Sequence, residues 1–220
     1  MPTSEKTAPF LYAILIGCTP KGRNIEQHDM LFAAANNIEE LKPLIKRFWN
    51  KDAVMDTAKI VKRLLPGIDT DALEKELSAG FAGRDKAHID AWMKVEYADG
   101  YSIKLSRTAP ENQLQKLYFI NLGGYKEGEF EEFHKKLFVV ANNPSDAFNV
   151  LKTHPFMQEY SSERLGKGGS AHLDDRHKID FEADDIICVS DTLEGGYHIV
   201  LEKTDAAIEN ECVIGYIKLD

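Results

Sequence analysis

LYAILIGCTPKGRNIEQHDMLFAAANNIEELKPLIK, residues 11–46, decides the fold of this chain, because the chain contains this stretch twice. Residues 117–152, LYFINLGGYKEGEFEEFHKKLFVVANNPSDAFNVLK, align with it without a gap at a shift of 106 positions. Of the 36 aligned positions 13 are identical, and they include two glycines, a Glu-x-His pair and an Asn-Asn pair as well as apolar residues. The sequence therefore predicts an internal duplication.

A second, shorter correspondence follows each copy. Residues 87–90 read AHID and residues 171–174 read AHLD, and the Gly-Tyr pair at 100–101 recurs at 196–197. We therefore predict an α+β protein made of two related β-β-α-β-β units in a pseudo-twofold arrangement, with mixed sheets and helices packed on them. A single shared core is favoured, because an isolated repeat of about 90 residues would bury proportionally less surface.

The duplication divides the chain into five predicted segments. They are a leader (1–9), repeat 1 (10–106) with a helical insertion (51–83), a linker (107–116), repeat 2 (117–203) and a C-terminal strand extension (204–220). Within the insertion, the pattern predicts helices over about 53–65 and 71–79, separated by a break at Pro66-Gly67.

Strands are predicted where apolar runs end at turn residues. Phe10 to Ile16 is apolar at every position, as in a strand covered on both faces, and Gly17 is expected to end it. Met30 to Ala35 is predicted as a strand because its copy carries adjacent valines, which favour extended backbone. Asp99-Gly100 predicts a hairpin turn. Further strands are predicted at 92–97, 101–105, 177–181, 186–189, 197–201 and 212–219.

A helix is predicted after the second strand of each copy. Asn37 has the character of an N-cap with Glu40 three residues later, and Asn143 precedes a helix that Pro144 opens. Pro43 leaves two alternatives, since it either kinks the first helix or marks the start of its regular part. The predicted apolar face of that helix is Ile38, Leu41, Ile45, Phe48 and Trp49.

Charge and cysteine content restrict the possible partners and the location. A net charge of −9 opposes a phosphate backbone, so we expect neither nucleic acid nor an anionic membrane surface as a partner. No apolar run approaches the roughly 20 residues of a membrane helix.

The segment ending in Cys18 resembles a lipoprotein cleavage box, but the same segment recurs in the middle of the chain, where it cannot be a signal for export. Three widely spaced cysteines indicate reduced thiols, and we expect a soluble cytoplasmic protein.

The candidate site is the duplicated sheet edge. If the first two strands of a copy are antiparallel, the glycine turn and the Glu-x-His share one end of the sheet, and the helix returns the chain to that end, where the His-x-Asp begins the next strand. Groups two residues apart on a strand lie on one face. The candidate residues are Gly17, Glu26, His28, His88 and Asp90 in the first copy and Gly123, Glu132, His134, His172 and Asp174 in the second.

Two interpretations of these residues stay open. Imidazoles and a carboxylate could supply a two-histidine, one-carboxylate metal set in each copy. The structural alternative is favoured, in which each histidine bonds to backbone or to its neighbouring acid. No compact metal motif is present, so no residue is assigned as a metal ligand. We further expect His28 and His134 to be at least half buried and hydrogen-bonded. Cys18 with His28 as a nucleophile pair is disfavoured, because the copy has Gly124 there.

Several motifs together resemble a known family. They are Gly-x-x-x-x-Gly followed by Glu-x-His and Leu-Phe, LYFINLGGY at 117–125, the Glu-Phe-x-Glu-x-His at 129–134 followed by LFVVA at 137–141, and LEGGYHI at 193–199. In these motifs the chain resembles an uncharacterised bacterial family of the domain-of-unknown-function 1543 type over nearly its whole length. The resemblance implies a small bacterial cytosolic protein and transfers no activity. The helical insertion is where the chain departs from the simpler pattern.

The sequence supports two classes of function. The first is a non-enzymatic module that binds a small molecule or a protein, because no recognised catalytic motif is present and a duplication readily forms a cleft between its copies. The alternative is a metal-dependent hydrolase or other enzyme with a His/Asp/Glu site at the duplicated edge. The sequence leaves the cofactor, the oligomeric state and the choice between these classes open.

Overall fold

The fold is described from a computed structural model. It describes residues 8–20, 23–49, 61–64, 67–69, 71–73, 75–76, 87–125, 130–151, 171–173, 186–193, 195–206 and 208–219. The chain forms two compact units, one of residues 1–95 with 210–220 and the other of residues 96–209. None of the helices in the described ranges is both long and apolar enough to cross a membrane.

Strands dominate the described residues. In chain order they are β1 (Phe10–Cys18), β2 (Gln27–Ala35), β3 (His88–Lys94), β4 (Tyr97–Ala98), β5 (Tyr101–Ser106), β6 (Lys116–Tyr125), β7 (Glu132–Ala141), β8 (Ala171–Leu173), β9 (Ile186–Cys188), β10 (His198–Lys203) and β11 (Cys212–Lys218). The helices whose two ends lie within the described residues are α1 (Lys42–Phe48), α2 (Pro144–Leu151) and α3 (Val189–Thr192). A 3-10 helix (Ile38–Leu41) immediately precedes α1. Helical residues also occur at 61–64, 71–73 and 75–76 in the predicted insertion.

These strands form three sheets. The first has the order β11-β3-β1-β2 and lies in the first unit. The second, β10-β5-β4, and the third, in which β6 pairs with β7, β8 and β9, lie in the second unit. Every pairing between described strands is antiparallel, so the predicted mixed sheets are wrong in this detail. The predicted α+β class is confirmed.

The two hairpins that carry the repeated sequence pair in the same register. In the hairpin of β1 and β2, Gly17 lies opposite His28, and in the hairpin of β6 and β7, Gly123 lies opposite His134. A repeated sequence indicates that a segment of the gene was duplicated. The pairing of strands does not test whether that duplication took place. The duplication, its segment boundaries, the pseudo-twofold arrangement and the shared core therefore stay predictions.

The core of the first unit lies between the sheet and α1. Alternate residues of β1, namely Tyr12, Ile14 and Ile16, pack with Ile45 of α1 in one buried cluster. The intervening Leu11 and Ala13 are buried as well, which confirms the prediction of a strand covered on both faces. The predicted helix face is also confirmed, since Leu41 and Ile45 are buried and Ile38, Phe48 and Trp49 pack against the cluster.

The first helix begins as predicted. The side chain of Asn37 accepts a hydrogen bond from the N–H of Glu40 at 3.2 Å, and the Glu40 carboxylate accepts one from the N–H of Asn36 at 3.0 Å. The chain then forms a 3-10 turn, and Pro43 occupies the first turn of α1, where its missing N–H is harmless. Of the two alternatives for Pro43, the start of the regular helix is thus confirmed. Asn143 makes the equivalent bond to the N–H of Asp146 at 2.9 Å.

Removing the first cap is expected to destabilise the protein modestly. Replacing Asn37 with alanine leaves the N–H of Glu40 without its acceptor, which should lower the free energy of unfolding by about 1 kcal/mol. Urea denaturation measures this loss. Asn37→Ser keeps a side-chain oxygen and serves as the matched control. Equal losses in the two variants would show that the cap does not stabilise the helix.

Three predicted strand boundaries need correction. The strand predicted at 92–97 is interrupted, because β3 ends at Lys94 in the first sheet and the chain then enters β4 of the second sheet. The Asp99-Gly100 turn is confirmed, and both residues have the positive φ that a tight hairpin requires, 51° and 83°. Gly17 does not end β1, which continues to Cys18. The strand predicted at 186–189 ends at Cys188, where α3 begins. The strand predicted at 177–181 lies outside the described residues.

Candidate functional site

The first sheet brings four of the predicted site residues together around Gly17. β1 lies between β2 and β3, and Gly17 is opposite His28 on one side and His88 on the other. Asp90 lies at an irregularity in the pairing of β3 with β1, because Ile89 and Ala91 pair with the successive residues Ile16 and Leu15. Glu26 immediately precedes β2, two residues before His28. The antiparallel arrangement therefore collects two imidazoles and two carboxylates at one end of the sheet.

The two carboxylates each bridge the two imidazoles. Oε1 of Glu26 lies 2.9 Å from Nε2 of His88, and its Oε2 lies 3.6 Å from Nε2 of His28. Oδ1 of Asp90 lies 3.0 Å from Nε2 of His88, and its Oδ2 lies 3.1 Å from Nε2 of His28. Four carboxylate oxygens thus surround two ring nitrogens.

Gly17 provides the space for this cluster. A Cβ atom at this position would overlap Oδ2 of Asp90 and would lie 2.7 Å from Nε2 of His88. Real Cβ atoms are not found so close to other heavy atoms. The glycine was predicted as a turn residue that ends a strand, and this role is wrong. It is a strand residue whose missing side chain lets the two groups approach the backbone.

The cluster contains more acceptors than donors. The two Nε2 atoms can offer at most one N–H each, whereas the carboxylates present four oxygens. Oδ2 of Asp90 is buried and receives no hydrogen bond from the residues that the structure describes. His28 Nε2 lies 3.1 Å from it, but the pair lacks hydrogen-bond geometry. Buried carboxylate oxygens in excess of donors favour an additional positive charge at this position.

One side of the cluster is closed and the other is open. The side chain of His88 is 7% exposed and that of Asp90 is 23% exposed, whereas Glu26 and His28 are 37% and 46% exposed. On the closed side the ring of Tyr216 lies against the ring of His88, with 4.1 Å between the centroids. A ligand in the cluster would therefore be held from β3 and would face solvent beside His28.

Tyr216 was not identified from the sequence. It lies on β11, which pairs with β3 so that Lys218 is opposite His88. The final strand has no counterpart in the first repeat, so the repeat comparison contained no signal for it. An aromatic residue in a short strand is ordinary, and only the long-range pairing brings it to the site.

The second unit repeats the backbone arrangement of the site. Gly123 of β6 is opposite His134 of β7 and opposite His172 of β8. Nε2 of His134 lies 4.0 Å from Oε2 of Glu132, and these side chains are 29% and 28% exposed. The His28 and His134 side chains are 46% and 29% exposed, so both contact solvent, and the structural role expected for these histidines stays a prediction. Asp174, the remaining predicted residue, lies outside the described residues.

The three cysteines do not form disulfides, in agreement with the prediction of free thiols. Cys18 is buried, Cys188 is partly buried and Cys212 is exposed. Burial raises the pKa of the Cys188 thiol, and the neighbouring carboxylate of Asp191 raises it further. Because the nucleophilic form of cysteine is the thiolate, this environment makes Cys188 a poor nucleophile.

Comparison with known proteins bears on the family and the fold. The profile of the family described as a domain of unknown function, DUF1543, matches residues 23–54. The match confirms the predicted resemblance to this family for residues 23–54, while its extent over nearly the whole chain and a bacterial origin stay predictions. The DUF1543 segment contains Glu26, His28, β2 and α1, whereas His88 and Asp90 lie beyond it.

A solved structure and the curated proteins complete the comparison. The crystal structure of a protein Il1583 from Idiomarina loihiensis is similar over 96% of this chain and 97% of that chain, with a TM-score of 0.53 and 22% sequence identity. At this identity the similarity concerns the fold alone. No curated protein matches the chain. Any function must therefore be argued from the cluster itself.

Proposed function

We propose that this protein is a non-enzymatic binding module whose ligand is a divalent transition-metal ion held by Glu26, His28, His88 and Asp90. The observation that supports it is the convergence of four carboxylate oxygens on two imidazole nitrogens, with a buried oxygen of Asp90 that receives no hydrogen bond from any described residue. A cytoplasmic location belongs to the same proposal, and the three free thiols support it.

The distances in the cluster suit a shared ion. Two ligand atoms that each lie about 2.1 Å from a metal, at an angle of about 90° to 110°, are about 3.0 to 3.4 Å apart. Three of the four nitrogen-to-oxygen distances are 2.9 to 3.1 Å, and the fourth is 3.6 Å. Ligand atoms from Glu26, His28 and Asp90 also lie within 4.8 Å of one another. An ion could therefore contact Glu26, His28 and Asp90 with small side-chain movements, whereas His88 lies outside this group of three and joins the proposed set through its contacts of 2.9 and 3.0 Å with the two carboxylates.

The chemistry of the donors indicates the class of metal. Imidazole nitrogen together with carboxylate oxygen suits zinc, iron and neighbouring first-row ions, whereas calcium and magnesium prefer oxygen ligands alone. Two ionised carboxylates balance the charge of a divalent ion. The contact of Tyr216 with His88 restrains the orientation of that ring, as groups around a metal ligand commonly do.

Metal uptake by tag-free protein tests the proposal. Purified protein is dialysed against Zn²⁺, Mn²⁺ or Fe²⁺, and the bound metal is measured by elemental analysis and the affinity by competition with a chromogenic chelator. Asp90→Asn should weaken binding by more than about 100-fold, because groups that only support a ligand already contribute 10-fold to 100-fold. Affinity should also fall as the pH is lowered, since protons compete for the imidazoles.

The control removes an exposed histidine of the second unit. His198 lies on β10 and is exposed, so His198→Gln should leave metal affinity unchanged. A folded protein that takes up none of the three ions contradicts the proposal. Equal affinity of Asp90→Asn and the unsubstituted protein would place any bound metal elsewhere.

A metal-dependent enzyme is the second candidate, and the exposure of the cluster favours it. An ion bound there would have the exposed Glu26 and His28 on its solvent side, where a water molecule could complete the coordination. A metal-bound water becomes a nucleophile near neutral pH, which is the chemistry of hydrolases. The binding module is preferred because the sequence carries no recognised catalytic motif. Metal-dependent hydrolysis of ester or phosphoester substrates that Asp90→Asn abolishes would reverse this preference.

A further inference from the structure

An apolar row crosses the first sheet beside the proposed metal cluster. It takes one residue from each of the four strands, and each residue pairs with the next: Met30 of β2, Leu15 of β1, Ala91 of β3 and Ile214 of β11. The row lies on the face of the sheet opposite to α1, because the alternate residues of β1 pack in the core with that helix. Gly17, two residues after Leu15, shares this face with His28 opposite it. The apolar row and the cluster are therefore neighbours on one surface.

The apolar row is open to solvent. From Leu11 to Cys18 every residue of β1 is buried except Leu15, which is partly exposed. Met30 and Ala91 are partly exposed as well, and Ile214 is 84% exposed. Two residues after Ile214, Tyr216 is 62% exposed while its ring lies against the ring of His88. Apolar surface is thus accessible immediately beside the cluster.

A positive charge lies on the same face. Lys218 of β11 is exposed and pairs with His88 of β3, so it is level with the cluster and two positions from the apolar row along β3 and β1. The carboxylates of Glu26 and Asp90 already balance a divalent ion. The ammonium group of Lys218 therefore favours a further anionic group, which a bound ligand would supply.

We propose that the metal-loaded protein binds a small amphipathic carboxylic acid, whose carboxylate contacts the ion near Lys218 and whose aliphatic chain lies along the apolar row. The inference rests on the proposed metal site and names the class of molecule that this site binds. A carboxylate oxygen is an ordinary ligand of zinc and would occupy the coordination position on the solvent side. Three strand spacings of about 4.8 Å make the apolar row about 14 Å wide, which accommodates a chain of medium length.

Titration of Zn²⁺-loaded, tag-free protein with octanoate tests the inference by isothermal titration calorimetry. Acetate carries the carboxylate without the chain, and octan-1-ol carries the chain without the carboxylate, so these two compounds are the matched probes. Octanoate should bind at least about tenfold more tightly than either, because each methylene group buried on the apolar row strengthens binding about fourfold.

Variants on two strands assign the chain to the apolar row. Ile214→Ser and Met30→Gln should each weaken octanoate binding by at least about fourfold and leave the affinities for acetate and Zn²⁺ unchanged. Lys218→Met should weaken octanoate and acetate binding by a similar factor, because both carry the carboxylate. Leu114 is an exposed leucine of the second unit, and Leu114→Ser is the control that should change none of these affinities. Circular dichroism verifies that each variant is folded.

The outcomes separate this inference from the proposed function. Octanoate that binds no more tightly than acetate refutes the inference and leaves the metal site intact. Tight octanoate binding that neither Ile214→Ser nor Met30→Gln weakens also refutes it, because the chain then lies elsewhere. A dimer that Ile214→Ser dissociates, detected by sedimentation velocity, would overturn it by showing that a second copy covers the apolar row. A folded protein that takes up no Zn²⁺ refutes both the proposed function and this inference.

Discussion

Replacing Gly17 with alanine is expected to abolish tight Zn²⁺ binding and to lower the free energy of unfolding by about 1 to 3 kcal/mol. The added methyl group would overlap Oδ2 of Asp90 and approach Nε2 of His88 to 2.7 Å. Because Gly17 lies between two paired strands, the backbone has little freedom to move away. The side chains of β3 must therefore move, and both are proposed metal ligands. Equilibrium urea denaturation and a chelator competition measure the two effects.

A double substitution shows whether this clash is the cause. In an Asp90→Ala background the overlapping carboxylate is gone, so Gly17→Ala should destabilise the protein less than it does in the unsubstituted chain. Both proteins in this background should bind Zn²⁺ poorly, since a ligand is missing. Equal stability losses in the two backgrounds would show that Gly17 is not needed for the approach of Asp90.

Replacing Ile45 with alanine is expected to lower the free energy of unfolding by about 2 to 5 kcal/mol. Ile45 is 0% exposed and is the buried residue of α1, in one cluster with Tyr12, Ile14 and Leu31 of the first sheet. Its truncation removes apolar contacts and leaves a cavity that the helix and sheet can only partly close. Thermal and urea denaturation followed by circular dichroism measure the loss.

The neighbouring residue supplies the control. Lys46 is exposed on the same helix, and Lys46→Ala should change the free energy of unfolding by no more than about 0.5 kcal/mol. A loss below about 1 kcal/mol for Ile45→Ala would mean that α1 contributes little to the core.

Most of the candidate site in the first unit was predictable from the sequence. The expectation that Gly17, Glu26, His28, His88 and Asp90 lie at one end of a sheet followed from antiparallel strands and from the spacing of the paired groups. The observed register places both histidines opposite the same glycine. The sequence favoured a structural role for these residues, because a distance between strands cannot be read from spacing along the chain.

Long-range strand pairing was the main feature that local patterns did not reveal. β5 pairs with β10 and β11 pairs with β3, although about 95 and 120 residues separate the partners, and an apolar pattern contains no information on the identity of a distant partner. The pairing of β11 with β3 brings the ring of Tyr216 against the ring of His88. One continuous strand was expected at residues 92–97 because the local pattern does not show that β3 and β4 pair with distant strands of different sheets.

By itself the sequence determined the features that depend on neighbouring residues. The strands β1 and β2, the cap at Asn37 and the turn at Asp99-Gly100 follow from side-chain shape, hydrogen bonding and backbone preference within a few positions. Only the tertiary structure decided that the carboxylates of Glu26 and Asp90 each lie close to both imidazoles. It also decided that Gly17 is a strand residue whose missing side chain leaves room for Asp90 and His88, and not a turn residue. The reason is physical, since these features depend on distances of about 3 Å between groups on three strands, which hydrogen-bond register and packing set together.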